Sequence, residues 1–161
     1  MRHISNLKHE SGRSMIEMIG VLTVTGLLTA GGFVLIKSGL ASQKISRVSD
    51  EIDMLVSNVR IMTARSDTFS GLPTTVAKGE DLAKLLLKSD NPSALGGNYY
   101  VMYKASAGTD NTCKKVLVVG INNMTNEADC KVLAKRSYAG SGFCEAVCNS
   151  KTLEIYYTKT N

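Results

Sequence analysis

Gly12-Arg13-Ser14-Met15-Ile16-Glu17 opens the stretch that decides this chain. The sequence then runs on apolar through Met18, Ile19, Val21, Leu22, Val24, Leu27, Leu28, Phe33, Val34, Leu35 and Ile36. Glu17 is the one charge between Met15 and Ile36. As a helix at ~1.5 Å per residue the run reaches about 33 Å, enough to cross the hydrocarbon core of a bilayer. A carboxylate inside such a run is unfavourable in lipid, by roughly 2.5 kcal/mol or more at mid-membrane. Its presence calls for a function. The segment before it, Met1–Gly12, is polar, carries Arg2, Lys8 and Glu10, and ends in glycine.

Two plainer readings compete. An ordinary secretory signal peptide would be cut near Thr29-Ala30-Gly31. Cleavage after Ala30 puts Leu28 at −3, where a small residue is wanted; cleavage after Gly31 puts Thr29 there, which is more tolerable. An uncleaved signal anchor is the other rival. Neither accounts for Glu17. Ser14-x-x-Glu17 ahead of an apolar run also has the form of a capping box, in which Ser14 caps the helix and Glu17 reaches back to the Ser14 amide. A cap at a membrane interface does not require an acid over a glutamine.

The polar leader ending in Gly12, the apolar run and Glu17 together resemble the N-terminal signal of type IV prepilins and type II secretion pseudopilins, a motif of cleavage and N-methylation. In that family cleavage follows the glycine and a glutamate lies five residues into the mature chain. The resemblance covers roughly Ser11 to Ile36. It implies processing between Gly12 and Arg13, and a role for Glu17 in assembly through the free amine of a neighbouring subunit. The family's first mature residue is usually Phe or another apolar residue; here it is Arg13. The family's helix often carries a proline in this region. This run has none, and Gly20, Gly26, Gly31 and Gly32 are its weak points, each costing a helix about 1 kcal/mol relative to Ala.

Beyond the run the helical pattern continues. Ala41, Ile45, Val48, Ile52, Leu55, Val59 and Met62 step by four and three along one face. Lys44, Arg47, Asp50, Glu51, Asp53 and Arg60 fall off that stripe. Helix from Ser14 to about Ala64 is expected, about 75 Å long. The stripe suits a dimeric coiled coil as well, but a C-terminal half rich in strand signals needs something to bury its sheet against.

In that half, a short helix is expected at Glu80–Leu87, with acids in its first turn and Lys88 in its last. Strand signals follow at Tyr99–Lys104, Lys115–Ile121 and Leu153–Thr158. Ala105–Thr112 reads as a hairpin loop and Tyr138–Phe143 as a Gly- and Ser-rich loop. Asn126 starts a second short helix, Glu127–Arg136. The fold class expected is α+β, a long N-terminal helix packed on a small antiparallel sheet in the manner of a ladle. The order of elements is similar to that of the type IV pilin head. The chain divides into a leader (1–12), a transmembrane and assembly helix (13–36), an amphipathic continuation (37–66) and an extracytoplasmic α+β head (67–161).

The four cysteines, Cys113, Cys130, Cys144 and Cys148, all lie in the head and allow three pairings. Cys144 and Cys148 would be one turn apart on a helix. A zinc site from four thiolates is poorly spaced, and disulfides in an oxidising space outside the cytoplasm are the better reading. The resemblance to b-type pilins implies the bond Cys130–Cys148, which leaves Cys113 with Cys144.

Composition narrows function further. From Lys37 onward there are 16 Lys and Arg against 12 Asp and Glu, about +4 and spread out. No dense basic run with interleaved aromatics exists, so nucleic-acid binding is not implied. Both histidines, His3 and His9, lie in the leader, so a mature chain would have none. That excludes His-dependent triads and His metal sites. Asp50/Glu51 and Glu80/Asp81 fall on solvated helix positions rather than in a catalytic pair. The expectation is a non-enzyme without cofactor or metal, a structural subunit of a type IV pilus-like filament. What the resemblance implies of partners is self-assembly, a prepilin peptidase, inner-membrane assembly machinery, and membrane lipid before assembly. It implies a single-pass inner-membrane protein with a periplasmic head, and afterwards an extracellular filament or periplasmic pseudopilus. The alternative is a minor pilin or pseudopilin acting as a binding or priming module in adhesion, secretion, conjugation or DNA uptake.

Overall fold

A computed structural model describes residues 10–159 apart from 89, 91, 109–111, 137 and 139–141; within the first helix it describes no side chain before residue 15 or at 33 and 34. Three helices and four strands follow in the order α1 (Glu10–Met62), α2 (Val76–Leu87), β1 (Asn98–Ala107), β2 (Cys113–Asn122), α3 (Glu127–Ala134), β3 (Phe143–Asn149) and β4 (Thr152–Tyr157). The class is α+β, as the pattern of elements requires. The chain divides into two units between Ser42 and Gln43.

The second unit is built on one sheet of order β1-β2-β4-β3, antiparallel throughout. Two hairpins, β1–β2 and β3–β4, are joined where β2 pairs with β4. Alternation along the strands sends Tyr99, Val101, Leu117, Val119, Ile121, Leu153, Ile155 and Tyr157 to one side. There they form one core with Val48, Ile52, Leu55, Val56 and Val59 of α1, Ala83 of α2, and Cys130 and Leu133 of α3. The stripe read from the sequence is thus the buried face of α1, taken up by the chain's own sheet rather than by a coiled-coil partner. Its two ends are corrected: Ala41 and Met62 are exposed, and Val56, off the stripe, is buried.

Polar contacts hold the part of α1 after Gln43 within the second unit, among them one from Arg136 to the Ser49 hydroxyl at 3.0 Å. The Tyr99 hydroxyl donates to Glu51, and Asn58 Nδ2 donates to the Leu86 carbonyl at 3.2 Å. Glu51 and Asp53, expected on a solvated face, are half-buried, so the helix seats deeper than the charge pattern indicates.

Helix α2 begins at Val76, four residues before the expected start, so Glu80 and Asp81 lie in its interior rather than in its first turn. Lys88 is not in the last turn; it forms the left-handed C-cap at φ 52°. Gly79 explains how α2 sits. A Cβ there would lie 2.6 Å from the Val101 carbonyl oxygen, so the helix rides directly on the β1 backbone. The Tyr103 amide of β1 donates to the Pro73 carbonyl at 2.8 Å, which helps to block this outer strand against pairing with another chain. Helix α3 starts where expected: Asn126 is its N-cap, accepting from the Ala128 amide at 3.1 Å. It ends at Ala134, two residues early.

Strand β3 was not expected. Phe143 opens it, and both Cys144 and Cys148 lie on it, so their spacing is that of a strand and not of a helical turn. The β1–β2 strands also reach further than their apolar centres, from Asn98 to Ala107 and from Cys113 to Asn122.

Candidate functional site

The first unit contains the apolar half of α1. From Met15 to Ile36 its described large apolar side chains are 58–74 % exposed, with Val24 the least and Ile16 the most. Leu40 is exposed too. A face of this kind is ordinary for a single residue and unsustainable in water for a whole helix. Among the described residues this is the one helix long and apolar enough to cross a membrane, with a mean hydropathy of 2.1 over an 18-residue window. A membrane span and a signal sequence both satisfy that test.

The polar residues of this helix support an apolar setting, a signal not read from the sequence. Thr29 returns its hydroxyl proton to the Thr25 carbonyl at 2.8 Å, and Ser38 to Leu35 at 3.0 Å. Thr23 donates to Ile19 and Thr25 to Val21. Each hydroxyl is satisfied by its own helix and needs no water. The carboxylate of Glu17 has no such recourse, since an anion accepts and the helix offers no free amide at that point. Glu17 is exposed.

The helix begins at Glu10, before Gly12 and Arg13. Ser14 therefore lies inside the helix rather than at its N-cap position. Arg13 stands one turn before Glu17 along the backbone. His3, His9 and the leader up to residue 9 lie outside the described residues. The glycines of this helix have no tertiary cause in the chain: a Cβ at Gly20, Gly26, Gly31, Gly32 or Gly39 would meet nothing within 4 Å.

In the head the four cysteines form two disulfides. Cys130 is bonded to Cys148, with Cα atoms 5.8 Å apart, and Cys113 to Cys144, with Cα atoms 6.2 Å apart. The first ties α3 to β3 on the helix side of the sheet. The second lies on the opposite side, with Tyr100, Met102, Val116, Val118 and Tyr156. Plain alternation would send Cys144 and Cys148 the same way. A β-bulge between Phe143 and Glu145 shifts the register and turns Cys144 to the far face. At the start of β2, Lys115 takes φ 51° and resets the alternation, so that Cys113 joins Val116 and Val118 in that cluster.

The far face carries a polar network that no sequence pattern marks. Glu154 accepts from Lys104 Nζ at 2.7 and 2.9 Å, from the Tyr100 hydroxyl at 3.0 Å and from the Tyr156 hydroxyl. Gly120 makes room for it: a Cβ there would fall 2.5 Å from the Tyr100 ring. Burial alone would raise the Glu154 carboxyl. The hydrogen bonds of Lys104 and Tyr156, the Lys104 charge and the Tyr100 hydroxyl outweigh burial and hold it below the usual carboxylate range. Burial and the same carboxylate push the Tyr100 and Tyr156 phenols up, so they remain donors.

A carboxyl lowered in the fold stabilises above its unfolded pKa of about 4.3, and that contribution is lost as pH falls through its folded value. Lys104→Met is expected to cost about 1–3 kcal/mol at pH 7 by leaving Glu154 short of its cation. The deficit should shrink below pH ~4, as Glu154 takes a proton in both states. Urea unfolding of the two proteins across that pH range checks it.

No family model matches the chain, and neither a curated protein nor a solved structure matches it.

Proposed function

We propose that this chain is a prepilin-type subunit of a type IV pilus-like filament. It inserts in the inner membrane through Met15–Ile36 with its head outside the cytoplasm, is cut after Gly12, and polymerises through α1. The observation that carries the reading is the run of exposed apolar side chains from Met15 to Ile36 whose only charge, Glu17, lies five residues beyond Gly12. The two disulfides of the head are in keeping with an oxidising space.

In this reading each part has a task. Lipid first covers the apolar face. Cleavage by a prepilin peptidase creates an amine on Arg13 near the membrane surface. The Glu17 carboxylate of one subunit then attracts the amine of its neighbour, which sets register in a setting where apolar packing alone sets little. Inner-membrane assembly machinery would lift the paired subunits from the bilayer.

The peptidase step is testable. Gly12→Val places a β-branched residue beside the scissile bond. The variant is expected to stay unprocessed, and intact-mass measurement should find it heavier than the wild-type product by the leader. Equal processing of the two would remove Gly12 from the mechanism.

A further inference from the structure

The head carries a basic cleft that has no part in the reading of α1. Asp67, Thr68, Lys114, Lys115 and Lys159 line a hollow of about 630 Å³. Among the described residues that line it, three are lysines and one is an aspartate. Among the described residues neither Lys114 nor Lys115 forms a salt bridge, and Asp67 does not close on any of the three lysines.

The backbone departs from regular geometry to make this cleft. Consecutive residues of a strand point to opposite faces, so one of Lys114 and Lys115 should turn toward the buried side. Both are exposed, between buried Cys113 and buried Val116, and both line the hollow. The cause is the left-handed conformation of Lys115 at φ 51°, which a side chain with a Cβ adopts only at a cost. The Cys113–Cys144 bond pins the strand immediately before this kink. On the other wall Lys159 is fixed as well. Its ammonium donates to the Thr63 carbonyl at 2.6 Å and to the Ser66 carbonyl, and lies 5.6 Å from the centre of the Phe69 ring.

We infer that this cleft is a binding site for a phosphate-bearing anion. Lysines act as point charges and suit a tetrahedral, multiply charged oxyanion; a planar carboxylate is served best by the fork of an arginine, and no arginine is among the described residues that line the hollow. A single carboxylate would also answer one of Lys114 and Lys115 and leave the other. The inference concerns the head alone and stands or falls apart from the filament reading.

The test uses the full chain in dodecyl maltoside micelles, titrated with tripolyphosphate by calorimetry. Saturable one-to-one binding is expected. Lys114→Ala and Lys115→Gly should each weaken it about tenfold, the loss of one charge-assisted contact. Asp67→Asn should tighten it by removing the opposing charge. Lys115→Gly is the decisive variant, because glycine takes φ 51° freely. Weakened binding at an undiminished unfolding midpoint then reads the charge and not the fold. Competition by micelles doped with phosphatidylglycerol, lost in Lys115→Gly, would assign the site to a lipid headgroup; no competition would assign it to a soluble phosphate. Absence of saturable binding, or equal binding by both lysine variants and wild type, would overturn the inference.

Discussion

Cys148→Ser is expected to cost the head about 3 kcal/mol, a large share of the 5–15 kcal/mol that small domains have. The bond closes a separation of 18 residues, and its absence restores that loop entropy to the unfolded chain. The folded side adds to the loss. Strand β3 is an outer strand of middling burial, so the bond to α3 is one of its main anchors. Cys130 itself is fully buried, and its freed thiol would remain in the core. With urea m-values of about 1–3 kcal/mol per molar, the midpoint should fall by about 1–3 M. Cys130→Ser/Cys148→Ser should lose little more than the single variant, because both remove the same bond. Strongly additive losses, or an unchanged midpoint, would show that the bond carries no stability.

Glu17 carries the second large effect. Its carboxylate is the only charged side chain between Met15 and Ile36, a stretch where the hydroxyls of Thr23, Thr25 and Thr29 donate back to carbonyls of their own helix. In the proposed filament the amine of Arg13 on the next subunit answers it. Removing one member of a buried charge pair costs about 3–5 kcal/mol, more than 100-fold in an association constant. Glu17→Val should therefore insert and be cleaved like wild type but enter filaments poorly. Glu17→Gln separates charge from hydrogen bonding, since glutamine can serve a cap but cannot pair as an anion. It too should assemble poorly at neutral pH. Normal assembly of Glu17→Gln would leave the charge pairing without a role, whatever the fate of Glu17→Val.

The elements read correctly from the sequence are those with a strong period. The four-and-three stripe of Ile45 to Val59 marked the buried face of α1, and the run Val116–Val119 marked β2. Asn126 marked α3 because a cap is a local event. Strand β3 escaped because Phe143-Cys-Glu-Ala-Val-Cys-Asn holds a single β-branched residue and its bulge breaks the alternation. The early start of α2 escaped because Gly79 reads as a breaker in sequence, whereas close packing on the Val101 backbone requires it. The Glu154 network and the lysine cleft escaped for a common reason. Tyr100, Lys104 and Glu154 come together only through strand register, and Lys114, Lys115 and Lys159 only through a left-handed kink and a returning C-terminal strand.

The reading of the N-terminal stretch rests on where the chain is cut. The most direct measurement is the N-terminal sequence of the protein recovered from the membrane and extracellular fractions. Arg-Ser-Met-Ile-Glu, beginning at Arg13, is the result expected. A chain beginning at Gly31 or Gly32, or one retaining Met1 in both fractions, would contradict the proposal and make the apolar run an ordinary signal peptide or anchor.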